Sequence, residues 1–318
     1  MTINHGYNKL QHSNNTAANT IVVNWCVTDK CNYRCSYCLP SLNRGRILEA
    51  DFNSIVKFCN SFINRNKNKN IYFEFTGGEI TIWDKFPILV SFLKDYENVS
   101  VGLISNGSRN IEWWNEIKNY IDHVSLSFQP EFSKKEHYTK LVDLLSNYLK
   151  VHCNIMMHPS YFELCKGVAE FISENICNVS LALQPLLIEF KDQLYDYTPD
   201  QLEIIDKQHE LYGSRIKYTR LWPVYRGAMK KVYENKEIVS SAHRFISEKT
   251  NRWTGWKCYA GVEQIVVDLE GNVWRGWCKE GGRLGNIRDE VNLKPDPIIC
   301  QRDYCHCNFD IMCTKEKV

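Results

Sequence analysis

The sequence predicts an α/β fold, in which strand and helix units build a parallel sheet and a small cysteine-rich domain with a β-hairpin follows. From residue 20 to about 190, short β-rich runs alternate with helical stretches. After Trp256 the pattern changes to two β-runs joined by a glycine-containing turn. Most of the fourteen cysteines fall into two groups far apart in the chain. These observations indicate a sheet domain carrying one metal centre and a second centre near the C-terminus.

Composition limits the classes of partner. The chain has 318 residues, 44% of them apolar, and a formal net charge of +2. This balance argues against a mainly electrostatic partner such as a nucleic acid or an anionic membrane. Residues 1–19 are polar, contain no apolar signal core and are predicted to form a disordered tail. With no long apolar run, the sequence predicts a cytoplasmic protein that has no membrane partner.

The predicted core spans residues 20–190 and contains six strands. They are Thr20–Thr28, Ile71–Thr76, Val101–Asn106, His123–Gln129, Val151–Met157 and Val179–Gln184. Helices are predicted near 51–66, 84–97, 110–119, 136–149 and 162–176. Parallel sheets of this kind bind ligands at the carboxyl ends of their strands, where the loops begin.

Two strands of the core carry a polar face. One face consists of His123, Ser125, Ser127 and Gln129, and another of His152, Asn154, Met156 and His158. Such faces indicate a wet, ligand-lined interior. The alternative is an edge strand that faces solvent.

Residues 191–254 are charged and are predicted to form a mostly helical bridge, and residues 255–318 a separate small domain. In the bridge, the segment from Arg220 to Gly227 mixes cationic and aromatic side chains, which suits a packed connector or a contact to a substrate carboxylate or phosphate. In the small domain, Val262–Asp268 and Asn272–Cys278 are predicted to form the hairpin.

Three cysteines follow the first core strand with the spacing C-x3-C-x2-C: Cys31, Cys35 and Cys38. Three thiolates can hold three irons of a cubane and leave the fourth iron open to a small molecule. A structural zinc ion would need a fourth protein ligand. No His or Cys closely follows Cys38, so a zinc site requires a distant residue.

This triad resembles the signature of the radical S-adenosylmethionine (radical SAM) superfamily. The resemblance includes the aromatic Tyr37 before the third cysteine. It implies a partial (βα)6 TIM-like barrel, a [4Fe–4S] cluster on the catalytic Cys31, Cys35 and Cys38, and S-adenosyl-L-methionine bound at the open iron. Tyr37 would then lie against the adenine.

Further motifs match the same superfamily at successive strand ends. Thr76-Gly77-Gly78-Glu79 corresponds to the loop that takes the methionyl ammonium, and paired glycines permit close approach to the backbone. The resemblance also places Ser105 and Asn106, and then Ser125 and Ser127, near the cofactor.

The C-terminal cysteines resemble a twitch domain, the shorter relative of the SPASM domain. Cys258 and Cys278 flank the hairpin, and Cys300, Cys305 and Cys307 follow. The resemblance implies one auxiliary [4Fe–4S] cluster on Cys258, Cys278 and two of the other three, with Cys313 the weakest candidate. The spacing departs from the family pattern, and a structural zinc ribbon is the alternative.

The resemblance implies an oxidoreductase-type enzyme that cleaves S-adenosylmethionine to a 5′-deoxyadenosyl radical. The radical would remove a carbon-bound hydrogen from a peptide or sugar-like substrate, in an oxidation, a bond formation or an epimerisation. A reducing partner such as flavodoxin or ferredoxin would supply electrons. Cys26 could donate a hydrogen atom in an epimerisation or be a buried structural thiol. The other class of function is a non-catalytic zinc or iron–sulfur module.

Overall fold

The protein is described from a computed structural model. It describes residues 6–40, 43–48, 50–188, 193–212, 228–289, 291–293, 296–305 and 307–318. The segment 220–227, with its mixed cationic and aromatic side chains, lies outside these ranges.

The described chain forms strands and helices in alternation through the core. The strands are β1 Lys9–His12, β2 Thr20–Thr28, β3 Asn70–Gly77, β4 Val99–Ser105, β5 His123–Phe128, β6 Lys150–Met156, β7 Val179–Gln184, β8 Ala228–Val232, β9 Glu237–Ser241, β10 Lys257–Cys258, β11 Gln264–Val267, β12 Asn272–Trp274, β13 Arg283–Asn286, β14 Ile298–Ile299 and β15 Lys315–Glu316. The helices are α1 Asn15–Ala18, α2 Phe52–Arg65, α3 Phe86–Leu93, α4 Ile111–Ile117, α5 Lys135–Ser146, α6 Phe162–Asn175, α7 Pro199–Asp206, α8 Gln208–Tyr212, α9 Ala242–Ser247 and α10 Asn308–Ile311.

The six predicted core strands are all present and lie side by side in chain order. Strands β2 to β7 pair in parallel as neighbours within a nine-stranded sheet. At one side β11 continues the sheet in parallel with β2, and β12 and β13 follow in antiparallel order. The result is a mixed sheet whose described edges are β13 and β7, so the described strands form no closed barrel.

One face of this sheet carries the main hydrophobic core. Val124, Leu126 and Phe128 on β5 are fully buried and pack in one cluster with buried residues of α2 to α6. Helix α2 shows why the helices lie there, because Ile55, Phe58, Cys59, Phe62 and Ile63 recur on one side of it. The opposite face of the sheet is left to the polar side chains predicted from the sequence.

The N-terminal segment differs from the prediction of a disordered tail. Strand β1 pairs antiparallel with β15 and β8, and Leu10 is fully buried. These partners lie more than 200 residues away in the chain, so the local polar composition gave no sign of them. The described residues 6–19 are ordered by tertiary pairing, which supplies the backbone hydrogen bonds that the segment cannot make alone.

The predicted helical bridge is also only partly helical. It contains α7, α8 and α9, but β8 and β9 form an antiparallel pair between them. That pair belongs to a second, six-stranded sheet with the order β14-β10-β15-β1-β8-β9.

The C-terminal hairpin is present as predicted, with β11 paired antiparallel to β12. It extends the core sheet, whereas β10, β14 and β15 belong to the second sheet. Residues 255–318 therefore divide between two sheets. No described helix exceeds 14 residues or is long and apolar enough to cross a membrane.

Candidate active site

The loop that contains Cys31, Cys35 and Cys38, here called the cysteine loop, begins where β2 ends. Asp29 and Arg46 hold its two ends together. The buried Asp29 carboxylate accepts hydrogen bonds from the Arg46 backbone nitrogen at 2.6 Å and from Arg46 Nε at 2.7 Å. The Asp29 backbone nitrogen donates to the Arg46 carbonyl oxygen at 3.0 Å. These contacts hold the two ends of the loop together and fix where the three cysteines emerge from the sheet.

Gly77 and Gly78, at the end of β3, lie directly against the backbone that leads into this loop. Gly78 N donates to the Thr28 carbonyl at 2.7 Å, and Glu79 N donates to the Lys30 carbonyl at 2.8 Å. A Cβ at Gly77 would lie 1.9 Å from the Thr28 oxygen, and one at Gly78 would lie 2.4 Å from the Lys30 oxygen. The sequence analysis explained both glycines by the approach of a ligand, and the structure adds a second requirement, the close approach of the cysteine loop.

Glu79 is fully buried and joins the ends of β3 and β4. Its Oε1 accepts from Thr81 Oγ1 at 2.6 Å and from Ser105 Oγ at 2.8 Å, and its Oε2 accepts from the Asn106 backbone nitrogen at 2.7 Å. Burial raises the pKa of this carboxyl, and these donors oppose that rise. These hydrogen bonds hold Ser105 and Asn106 in place.

Asn106 then reaches the cysteine loop with its side chain. Its Nδ2 donates to Asn32 Oδ1 at 3.0 Å and lies 3.8 Å from the Cys31 sulfur. The Tyr33 backbone nitrogen approaches the same sulfur at 3.4 Å. Two nitrogen donors therefore approach the sulfur of the first cysteine.

The segment after β5 contacts the other side of the loop. Tyr37 Oη donates to Gln129 Oε1, and the Cys35 sulfur lies 3.7 Å from the same oxygen. Glu131 Oε2 accepts from the Ser36 backbone nitrogen at 2.8 Å. Phe132 stacks on Tyr33 with 5.1 Å between the ring centroids. Glu131 and Phe132 were not named from the sequence, and Gln129 was predicted only as part of the polar face of its strand.

The thiols of the triad fit a multinuclear metal group. Burial raises the pKa of all three thiols, and that of Cys35 reaches about 12. Charge on other thiols of the triad adds to the rise at Cys31 and Cys35. A bound cation would reverse this effect and stabilise the thiolates. Each thiolate of a cubane binds its own iron, so the sulfurs need not converge on one point. Among the described residues, no three His, Cys, Asp or Glu side chains are arranged to hold a single metal ion.

The polar faces of β5 and β6 lie on internal strands, each paired on both sides. The interpretation as an edge strand is therefore wrong.

Tyr72 Oη and His123 Nδ1 are 2.8 Å apart, and Gly102 makes room for this contact because a Cβ there would lie 1.9 Å from the Tyr72 oxygen. Burial lowers the pKa of His123 to about 3 and keeps the ring neutral.

A second polar network continues this face toward β7. His152 Nδ1 lies 2.7 Å from Ser180 Oγ, and His152 Nε2 lies 3.1 Å from Asn154 Oδ1. Asn154 Nδ2 donates to Ser125 Oγ at 2.8 Å, and Gln184 Nε2 donates to Asn154 Oδ1 at 3.3 Å. The half-buried Ser127 follows on the same face of β5. The sheet thus presents polar groups on β5, β6 and β7, and the residue that follows β5, Gln129, contacts the cysteine loop.

The C-terminal cysteines are gathered only in part. Cys258 and Cys313 are buried in one cluster, and Cys300 packs against it. The buried carboxylate of Asp310 accepts from the Cys278 backbone nitrogen at 2.7 Å. Burial raises the pKa of Cys278, Cys300 and Cys305, and charge on Cys258 makes a smaller contribution to each, so these thiols lie within electrostatic range of Cys258. Burial raises the pKa of Cys307 to about 12, with a small contribution from Glu74 on β3.

Comparisons with known proteins concern the part of the chain that contains this site and the fold. The Radical SAM superfamily model matches residues 25–163, which therefore form a radical SAM superfamily domain. The structure resembles native anSMEcpe with bound AdoMet, with a TM-score of 0.51 and 16% identity over 85% of this chain and 79% of that one. A hexahistidine-tagged form of the same protein gives a TM-score of 0.52, and at such identity these likenesses show the fold.

Two curated proteins are similar over shorter stretches. A 7,8-dihydro-6-hydroxymethylpterin dimethyltransferase from Methanocaldococcus jannaschii is 30% identical over 111 residues, 33% of this chain. A GTP 3′,8-cyclase from Hydrogenovibrio crunogenus is 29% identical over 90 residues, 27% of this chain. The matching stretches span only 21% and 26% of those two proteins.

Proposed function

We propose that the chain is a radical SAM enzyme with a [4Fe–4S] cluster on Cys31, Cys35 and Cys38. When bound and reduced, the cluster supplies the electron that cleaves S-adenosylmethionine to the 5′-deoxyadenosyl radical, which removes a carbon-bound hydrogen from substrate. One observation carries the proposal: the ends of β3, β4 and β5 each contact the cysteine loop that leaves β2. A zinc ribbon would need no such convergence on three thiols.

The chain's own residues would divide the work at this site. The backbone at Gly77 and Gly78 and the side chains of Ser105 and Asn106 would hold the methionyl and ribose groups. Tyr37, held by Gln129, would pack against the adenine. Glu79 would position Ser105 and Asn106 through its buried hydrogen bonds, in addition to the cofactor contact predicted for it. Ser125 and Ser127 would complete the cofactor side of the polar face.

The auxiliary cluster is a further part of the proposal. Cys258, Cys278 and two of Cys300, Cys305 and Cys307 would hold it in a twitch- or SPASM-like domain over residues 255–318. The fully buried Lys315 lies beside these thiols, where its Nζ donates to the carbonyl oxygens of Asp310, Ile311 and Cys313. Burial lowers its pKa, but nearby thiols including Cys258 and Cys305 outweigh that effect and raise it to about 12. Such a cluster could accept an electron from a substrate radical, bind substrate or stabilise the fold.

The substrate would lie over the polar face of a partial (βα)6 barrel formed by residues 20–190. The hydrogen-bonding groups of His123, His152 and Asn154 suit a peptide backbone or a sugar-like molecule. A cytoplasmic reductant such as flavodoxin or ferredoxin would deliver the electron.

Anaerobic reconstitution tests the proposal. The reconstituted chain should carry about eight irons, four per cluster, bind S-adenosylmethionine and release 5′-deoxyadenosine when dithionite is added. Four irons with 5′-deoxyadenosine release would retain the enzyme and remove the auxiliary cluster. A colourless protein that holds zinc and releases no 5′-deoxyadenosine would establish the alternative, a non-catalytic zinc module.

A further inference from the structure

Gln129 occupies an unusual place at the cysteine loop, because its side-chain amide contacts two residues of the C-x3-C-x2-C motif. Its Oε1 accepts from Tyr37 Oη and lies 3.7 Å from the Cys35 sulfur. The turn that follows fixes the residue: Gln129 N donates to Ser133 Oγ at 3.1 Å, and the Gln129 carbonyl accepts from Ser133 N at 2.7 Å. The amide is therefore held at Cys35 by its own strand and turn.

The orientation of this amide depends on the state of Cys35. Beside a thiol, the amide oxygen accepts from S–H, as the structure shows. A thiolate has no S–H donor, so an amide oxygen that faced it would bring its partial negative charge against the negative charge of the sulfur. A half-turn of the amide removes this repulsion and directs Nε2–H to the sulfur, and the second Nε2 hydrogen then faces the Tyr37 oxygen.

We infer that Gln129 is a positioning residue that donates an N–H···S hydrogen bond to the Cys35 thiolate and raises the reduction potential of the cluster. The inference rests on the proposed function. A reduced cluster carries one more negative charge than an oxidised one, so the positive end of an N–H dipole stabilises the reduced form more. Hydrogen bonds to the sulfurs are among the features that set iron–sulfur potentials.

The neighbours of Gln129 supply the control. Phe132 belongs to the same turn and contacts the same loop through Tyr33, but it carries no hydrogen-bond donor. Phe132→Leu therefore alters how the segment packs and leaves the amide in place. Gln129→Met keeps the length of the side chain and removes the amide, and Gln129→Glu keeps the acceptor for Tyr37, removes both N–H donors and adds a negative charge.

The test is the midpoint potential of the cluster on Cys31, Cys35 and Cys38. It is measured in an anaerobic redox titration of the full chain that is monitored by electron paramagnetic resonance, and the iron content of every variant is determined. We expect Gln129→Met to lower the potential relative to the wild type, Gln129→Glu to lower it further, and Phe132→Leu to leave it unchanged. Deuterium exchange adds a readout of the hydrogen bond itself. The wild-type cluster should show one exchangeable proton hyperfine coupling that is missing from Gln129→Met.

The outcomes separate this inference from the proposed function. If the wild type holds a redox-active cluster and Gln129→Met has the same potential and couplings, the inference is wrong and the proposed function stands. If both Gln129 variants lose iron while Phe132→Leu retains it, Gln129 holds the loop together and does not tune the cluster. A wild-type protein with no cluster would overturn both.

Discussion

Two glycines at the end of β3 and in the cysteine loop show how single residues shape this site. Gly78 has no left-handed backbone angle to require glycine, but a Cβ there would lie 2.4 Å from the Lys30 oxygen. Gly45, near the end of the cysteine loop, is the opposite case, with a φ of +80° and nothing within 4 Å of a Cβ. The pair separates a steric requirement for glycine from a conformational one.

Replacing each glycine with alanine should therefore have different consequences. Gly45→Ala should lower the free energy of unfolding by about 1–2 kcal/mol, the ordinary cost of a left-handed alanine. Gly78→Ala should cost more, because the backbone of Lys30 must move, and the movement should displace Cys31. Chemical denaturation and iron content after reconstitution measure both effects. Equal destabilisation with full iron in both variants would show that the approach of β3 to the loop is unimportant.

Cys35 and Cys278 belong to different proposed clusters and should behave differently. Cys35→Ala should abolish the release of 5′-deoxyadenosine, because it removes a ligand of the cluster that cleaves the cofactor. Cys278→Ala should retain part of that release, uncoupled from substrate turnover. Quantifying 5′-deoxyadenosine under dithionite compares the two. Complete loss in both variants would argue against separate roles for the two cysteine groups.

At the scale of elements, β5 and β6 place neutral histidines on an internal polar face. His123 has a folded pKa of about 3, below its ordinary value of 6.5, and burial also lowers the pKa of His152. The unfolded chain therefore binds protons that the folded chain does not between about pH 6.5 and 3. Because the unfolded state binds more protons there, stability falls as the pH falls through this window and is unaffected by these groups above it.

His123→Asn tests this linkage. The asparagine Oδ1 can accept the hydrogen bond from Tyr72 Oη, but the side chain does not titrate. Between pH 6.5 and 5 we expect the loss of stability to become shallower by up to about 1.4 kcal/mol per pH unit, with His152 leaving a residual slope. Urea denaturation at a series of pH values measures the slope. An unchanged slope would mean that His123 is protonated in the folded protein.

The polar faces also show what the sequence could predict about the site. Alternation along β5 and β6 identified the faces correctly because strand side chains alternate with a period of two. Alternation could not place Gln129 against Cys35, since the contact joins residues 94 positions apart and depends on how the cysteine loop turns over the sheet. Glu131 and Phe132 carried no signal because they follow the strand and obey no period.

The whole molecule departs further from the prediction than its core does. The six core strands were predictable because each is a local run of β-formers. The second sheet was not, because it assembles β1, β8 and β9 with three two-residue strands from the last third of the chain. The second sheet depends on long-range strand pairing, such as that of Lys9 with Glu316, whose side chains also form an ion pair at 2.7 Å. The N-terminal and C-terminal segments thus form one unit that no local pattern reveals.

Mössbauer spectroscopy of the ⁵⁷Fe-reconstituted protein tests most directly whether three thiolates leave one iron of the proposed cluster open for S-adenosylmethionine. The Cys278→Ala variant simplifies the spectrum if the auxiliary cluster is lost. Adding S-adenosylmethionine should change the isomer shift of one iron in four, because only that iron gains new ligands. Four irons that respond identically, or do not respond at all, would contradict the account.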